Sequence, residues 1–352
     1  MKIAILGYGT VGSAVAKVLI ENKDIISARC GQVIEPVIAL ARSKKENSLI
    51  PVISDVNEIL NRDDIDVFVE LMGGIDTPFN IVSEILKRKK AVVSANKAML
   101  AYHRYELESL AKDTFFGYEA SVAGGIPIIR ILKEGLSANN IIGIKAILNG
   151  TSNFILSSMK QKNTSFNEAL KQAQDLGYAE ANPSFDVNGD DAAHKLLILS
   201  SIAYGLKAKP EDILIEGISK ISADDMYFAD EFDLNIKLLG IAKAKKDKVE
   251  LRVHPTMLPK DTMLAKVDGV MNAISISGDM LGESLYYGAG AGGNATASAV
   301  ISDLMDYAKN SNSAKIPMLG FSSKTKFTLV KKDEIYSKYY LRLVVEDKLG
   351  VL

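Results

Sequence analysis

Asp191 and Lys195 stand four residues apart in the run DVNGDDAAHKLL, residues 186–197. On a helix they are neighbours on one face, shared with Ala192, Ile198 and Leu199. A lysine set among apolar side chains loses hydration, and its pKa falls toward the range useful for general acid–base chemistry. The same spacing on a solvated face is a surface salt bridge, and spacing alone leaves both readings open. A second group lies near the N-terminus, where Gly7-Tyr8-Gly9-Thr10-Val11-Gly12 is a G-x-G-x-x-G. Gly7 permits a tight turn, Gly9 lets the backbone approach a pyrophosphate, and Gly12 lets helix and strand pack closely. A helix starting there turns free N–H groups toward the phosphates. A glycine turn without a ligand is the bland alternative. An apolar strand before the loop and a helical pattern after it favour the dinucleotide reading.

The tip of the second strand decides which dinucleotide. It reads Leu40-Ala41-Arg42-Ser43-Lys44-Lys45, with no carboxylate before Glu46. An acidic residue here would hold ribose hydroxyls; Arg42, with Lys44 or Lys45, suits a 2′-phosphate and so NADP, with NAD left open. A solvated basic turn is the competing reading. Cys30 is the single cysteine, so no intramolecular disulfide forms and a reducing, cytoplasmic setting is expected. It falls between the first helix and the second strand, a poor place for a catalytic thiolate. His103, His194 and His254 lie far apart, and none has a partner at zinc-ligand spacing.

The elements that must position these groups form two patterns. Residues 2–6, 36–41, 66–71, 91–94 and 114–119 read as strands, and residues 11–20, 55–60, 78–87 and 105–112 as helices. Repeated βα units with short apolar strands imply a parallel sheet covered by helices. After Pro127 the pattern changes: helix 128–136, a β-rich run 141–148, then longer helices and further strands to about residue 284. Residues 295–309 form an amphipathic helix after a glycine-rich loop, expected to pack back on the first unit. The expected fold class is α/β, a Rossmann-type dinucleotide-binding domain with a second α+β catalytic and dimerisation domain. The expected boundaries are 1–130 plus about 295–325, then 131–294, with 338–352 as the start of a further domain. Residues 339–352 read as one strand and a turn. A lone strand cannot bury its face, so the chain is expected to be cut short there. The 42 basic and 43 acidic residues leave no basic footprint for nucleic acid. No apolar run is long enough for a membrane span.

Residues 186–196 also fit D-x-x-G-x-D-x-A-x-K-L, through Asp186, Gly189, Asp191, Ala193, Lys195 and Leu196. Six further stretches follow the same order: Glu70-Leu71-Met72-Gly73-Gly74; Ser94-Ala95-Asn96-Lys97; Glu119-Ala120-Ser121-Val122-Ala123-Gly124-Gly125-Ile126-Pro127; Asn149-Gly150-Thr151-Ser152-Asn153; Gly177-Tyr178-Ala179-Glu180-Ala181-Asn182-Pro183; and Gly288-Ala289-Gly290-Ala291-Gly292. Together they resemble the homoserine dehydrogenases over essentially the whole chain. The resemblance implies reversible hydride transfer between L-homoserine and NAD(P)+, giving L-aspartate 4-semialdehyde, on the route to threonine, methionine and isoleucine.

Carried over residue by residue, the resemblance makes Lys195 the acid–base and Asp191 the residue that holds substrate and lysine. It makes Lys97 a lysine between cofactor and substrate. Glu180 matches the carboxylate for the substrate ammonium, with Gly177 close by. Gly9, Thr10, Val11, Arg42, Lys97 and Gly290 match cofactor positions, joining Gly7 and Gly12 of the loop. Glu119, Val122, Gly124 and Ile126 match an alkali-metal site, such as one for Na+, built mainly from backbone carbonyls. A homodimer is implied. Longer relatives carry a C-terminal amino-acid-binding ACT domain, whose first strand residues 339–352 resemble, although Lys348-Leu349-Gly350 stands where Pro-Gly is common.

Two other functions compete. A dehydrogenase of another amino-acid aldehyde would share the architecture, but the phosphorylating kind lacks its thiol here. A non-catalytic NADP-binding sensor would keep the glycine loop and need no buried Asp–Lys pair. The basic strand tip yields a direct expectation. Arg42→Ala raises the Michaelis constant for NADP far more than that for NAD; equal effects in steady-state kinetics would remove Arg42 from the 2′-phosphate.

Overall fold

The segments KIAIL, VFVE and AVVS form β1 (Lys2–Leu6), β4 (Val67–Glu70) and β5 (Ala91–Ser94), with nearly every side chain buried. Central parallel strands covered on both faces need such continuous apolar runs. The computed structural model describes residues 1–43, 45–310, 317–320, 325–345 and 348. With β2 (Glu35–Leu40), β3 (Val52–Ile53) and β6 (Phe116–Gly117), these strands build a parallel sheet in the order β3-β2-β1-β4-β5-β6. This is the doubly wound order, with its crevice where the direction of winding reverses, between β1 and β4. The helices of this part are α1 (Thr10–Glu21), α2 (Lys23–Cys30), α3 (Val56–Leu60), α4 (Asp76–Lys87) and α5 (Lys97–Leu110).

The glycine loop is fixed by backbone bonds across the crest of the sheet. Gly7 N and Tyr8 N donate to Leu40 O at 3.1 and 2.9 Å. Gly7 has φ +112°, and a side chain on Gly12 would sit 2.1 Å from Gly7 O. Helix and loop therefore touch backbone to backbone at Gly12. At Gly9 a Cβ would meet nothing within 4 Å.

The stretch before the second strand, to which the sequence reading assigns no element, is a helix, α2, closed by Gly31 in the left-handed conformation. One expectation needs correction. Helix α5 starts at Lys97 rather than at residue 105. Asn96 caps it, its side-chain oxygen accepting from Met99 N. That cap overrides the weak helical pattern of residues 97–104.

After α6 (Ile128–Arg130), which runs into a π-helical turn at Ile131–Gly135, the chain enters a second sheet. Its strands are β7 (Ile141–Ile147), β8 (Leu214–Ile215), β9 (Leu234–Lys245), β10 (Lys248–Pro259), β11 (Met271–Gly278), β12 (Gly282–Ala289) and β13 (Thr328–Leu329). The order is β12-β11-β7-β9-β10-β13, with β8 also on β10. Between these strands run α7 (Gly150–Lys162), α8 (Phe166–Asp175), α9 (Ser184–Val187), α10 (Asp190–Tyr204), α11 (Ala223–Glu231) and α12 (Gly293–Asn310). The expected amphipathic helix after the glycine-rich loop is α12. Its Ala297, Val300 and Leu304 are buried with Ile3, Ile5 and Val67 of the first sheet.

Helix α10 packs against β7, β9 and β10 and also against α5. Residues 191–201 of it are buried without interruption. A helix covered all round has no polar face, so its Asp191 and Lys195 are interior groups.

Residues 335–345 form no strand, in contrast to the reading of residues 339–352. Most of them are exposed, and a strand without a neighbouring edge has nothing to pair with. Arg342 instead holds this stretch to the start of α11, with its Nε 3.0 Å from Asp225 and its Nη1 2.6 Å from Asp224. Lys44, residues 346–347 and 349–352 of the tail, and residues 311–316 and 321–324 of the stretch expected to return to the first domain lie outside the described residues. Among the described residues no helix is long and apolar enough to cross a membrane.

The contrast between the glycines is testable. Gly12→Ala forces a methyl onto Gly7 O and should cost about 1–3 kcal/mol, seen as a clear fall in Tm. Gly9→Ala enters open space and should leave Tm near that of the parent protein. Equal Tm values for the two variants would contradict the packing described.

Candidate active site

One carboxylate lies between two lysines. Asp191 is 1% exposed and Lys195 is 8% exposed. Lys195 Nζ donates to Asp191 Oδ2 at 2.8 Å and to Leu148 O at 2.7 Å. Lys97, the first residue of α5, reaches the other oxygen, Asp191 Oδ1, at 2.7 Å. Lys97 and Lys195 therefore come from helices attached to different sheets and meet on a single residue. Burial alone would push the Asp191 carboxyl up, but Lys195 and Lys97 together hold it well below the ordinary carboxylate range. For Lys195 the balance is reversed. Burial pushes its ammonium below the usual lysine value, and the pull of Asp191 is offset further by the charge of Lys97. Lys97 is also desolvated, yet Asp191, with Asp186 and Glu180 farther off, raises it.

Other residues complete the arrangement. Asn149 Nδ2 donates to Asp191 Oδ2 at 2.8 Å and to Asp186 Oδ1 at 2.7 Å, while its Oδ1 caps α7 at Ser152 N. Leu148 O, which holds Lys195, also accepts from Asn272 Nδ2 at 3.1 Å. A side chain on Gly290 would collide with Asn272 at 2.0 Å, so glycine is required there. Sequence reasoning gave no site role to Asn149, Asp186, Leu148 or Asn272. Asn149 and Asp186 stood inside quoted motifs, a usable signal. Leu148 acts through its carbonyl and Asn272 from a strand in another part of the chain, and neither leaves a mark on sequence.

A cleft at the crest of the first sheet is lined by Val11, Leu71, Lys97, Gly124, Lys195 and Gly290, among others. It joins the glycine loop to the lysine pair. The residues fit a dinucleotide. Helix α1 has Gly9 at its N-cap, where no side-chain cap bond forms among the described residues, and the space over Gly9 is open. Thr10 begins that helix and is exposed. Arg42 is exposed two residues beyond β2, whose last carbonyl, Leu40 O, anchors the loop.

Some predicted residues stand apart. Glu180 is exposed and forms no ion pair among the described residues; Gly177, at φ +74°, closes the turn after α8. Glu119 is buried, and its carboxylate accepts from Ile129 N and Arg130 N, both at 2.8 Å. It thus caps α6. Val122, Gly124 and Ile126 follow in a buried turn in which Ala123 and Gly124 have positive φ. His194 is buried edge-on against Tyr102 and Phe185, outside the lysine cluster.

Comparison with known proteins decides the family. Residues 7–117 match the model for the homoserine dehydrogenase NAD-binding domain, and residues 127–305 match that for homoserine dehydrogenase itself. The chain belongs to the homoserine dehydrogenase family. It is 57% identical to the homoserine dehydrogenase of Helicobacter pylori, over the whole of this chain and 83% of that protein. With that of Neisseria gonorrhoeae it shares 44% identity, again over the whole chain and 83% of the relative. The crystal structure of a homoserine dehydrogenase from Thiobacillus denitrificans superposes with a TM-score of 0.90 at 41% identity, covering 94% of this chain and 79% of that one. A hyperthermophilic archaeal homoserine dehydrogenase in complex with NADPH gives 0.74 at 28% identity, covering 87% and 96%.

The chain is thus an NAD(P)-dependent oxidoreductase. It interconverts L-homoserine and L-aspartate 4-semialdehyde in the aspartate route of amino-acid biosynthesis.

Asn149 offers a test of the cluster. Asn149→Asp keeps the cap of α7 but turns an acceptor toward two carboxylates. Loss of a hydrogen bond to a charged group costs about 1.5–3 kcal/mol, and here two are lost and a third carboxyl is buried beside two others, so kcat/KM should fall by at least roughly 10–100-fold and Tm should fall as well. Unchanged kinetics would detach Asn149 from the reaction.

Proposed function

We propose that Lys195 is the acid–base of the homoserine dehydrogenase reaction and that Lys97 binds the reacting oxygen from the other side. The observation that carries this reading is the buried Lys195–Asp191–Lys97 cluster opening on the cleft beside the glycine loop. The bound nicotinamide coenzyme supplies the hydride acceptor. As C4 of homoserine gives up its hydride, the C4 hydroxyl must release a proton, and the neutral Nζ of Lys195 takes it. Burial keeps that amine below the usual lysine value and so makes the neutral form accessible. Asp191 keeps the amine in place through Oδ2 while Leu148 O fixes a second direction. Lys97, held protonated by Asp191, polarises the carbonyl oxygen as it forms. In reduction the same proton returns from Lys195.

Glu180, exposed and without an ion partner among the described residues, is proposed to pair with the substrate ammonium, with Gly177 shaping the turn that carries it. Arg42, with no carboxylate nearby on its strand tip, supports NADP as the preferred coenzyme. The alkali cation is proposed at the carbonyls of Val122, Gly124 and Ile126 beside Glu119; hard oxygen donors suit such an ion. The family supports a homodimer and a cytoplasmic setting, and the exposed Tyr287 on the edge strand β12, with Leu281 in the turn before it, suits subunit contact. The two sheets support division into residues 1–130 with the returning α12, and residues 131–294.

Lys195→Ala should lower turnover by at least about 10²-fold, the scale of one positioned acid–base, with much smaller changes in homoserine and NADPH affinity. In the parent enzyme the oxidation rate rises with pH as Lys195 loses its proton, and the variant should lose that rise. Near-normal turnover in Lys195→Ala would move the role to Lys97.

A further inference from the structure

Glu70 ends β4 and is completely buried, with no cation within ion-pair distance among the described residues. All its contacts are donors. Ser94 Oγ donates to Oε2 at 2.5 Å, Met72 N to Oε1 at 2.8 Å, and Asn96 Nδ2 to Oε1 at 3.5 Å. Burial without a counter-ion pushes its carboxyl up to about 7, although these donors pull it down. A group so costly to bury is retained for what it holds. What it holds is the start of α5. Ser94 Oγ accepts from Asn96 N at 3.0 Å, and Asn96 Nδ2 also reaches Gly74 O at 2.9 Å. Asn96 Oδ1 caps the helix at Met99 N, and the next residue after Asn96 is Lys97.

We infer that Glu70 is a positioning residue for Lys97: through Ser94 and Asn96 it sets the first turn of α5 and so the placement of the Lys97 ammonium on Asp191. The carboxylate lies at the crest of the parallel sheet, one strand removed from the glycine loop, and it touches neither lysine. Its effect on turnover rests on the reading that Lys97 polarises the reacting oxygen; its effect on geometry does not.

The experiment is a double-mutant cycle with a structure. Glu70→Gln keeps the shape but leaves one acceptor oxygen in place of two, so either Ser94 Oγ, or Met72 N with Asn96 Nδ2, faces an amide NH2 and loses its acceptor. Its crystal structure should show the Lys97 ammonium displaced from Asp191 beyond ion-pair distance; an unmoved pair overturns the inference. In kinetics, Glu70→Gln should lower kcat at least tenfold in the parent enzyme and have no further effect in Lys97→Ala. Equal fold-losses in both backgrounds would show that Glu70 acts elsewhere and would overturn it as well. A normal kcat in Lys97→Ala alone would refute the role of Lys97 in the reaction while the crystallographic result still decides the positioning. Should Glu70→Gln fail to fold, Ser94→Ala breaks the same chain at its middle link and is read by the same outcomes.

Discussion

The site depends on one desolvated carboxylate shared by two ammonium groups. In bulk water Asp191 would attract each lysine weakly, but in the interior the same charges interact far more strongly. Removing Asp191 would leave the buried Lys195 and the half-buried Lys97 facing each other without the charge they share. The sharing also separates the lysines chemically. Lys97 gains enough from Asp191 to remain charged, whereas Lys195, more deeply buried and also repelled by Lys97, is driven toward neutrality. Two groups of one residue type are thus pushed in opposite directions by their environment alone.

That arrangement requires two bodies of secondary structure to meet accurately. Lys97 rides on the first turn of a helix that follows a parallel strand. Asp191 and Lys195 ride on a helix buried against a mixed sheet. The packing of α5 on α10 brings them together, and neither sheet by itself contains the site. Asn149 and Leu148 O add hydrogen bonds around the cluster, and Asn272 donates to Leu148 O while its own Oδ1 is buried without a hydrogen-bond partner among the described residues.

The glycine loop shows a different constraint, one of space. Gly7 and Gly12 are needed because backbone meets backbone there, whereas Gly9 faces an open region in which a ligand's phosphates would lie. Three glycines in one short motif therefore do two kinds of work. The loop's bonds to Leu40 O also tie it to the strand that presents Arg42. Loop and strand tip are thereby coupled through a single backbone carbonyl.

The sequence by itself determined the strand–loop–helix at the N-terminus, the alternation that makes a parallel sheet, and the Asp191–Lys195 spacing, because each is local: period, glycine position and helical offset are properties of a short window. The ordered motifs also pointed to the family. Whether Lys195 was solvated or buried was not local. It was decided by α10 being enclosed by β7, β9, β10 and α5, which no window of residues displays. The start of α5 was misjudged because Asn96 acts as a cap within a network that includes Glu70, a residue from another strand. The tail at residues 339–352 reads as a strand and a turn, but its described part, residues 339–345, forms no strand. A strand exists only with a hydrogen-bonded neighbour, and here Arg342 finds carboxylates on α11 instead. Asn272 and the carbonyl of Leu148 enter the site through tertiary contact alone, and a backbone carbonyl carries no residue type for a sequence to reveal.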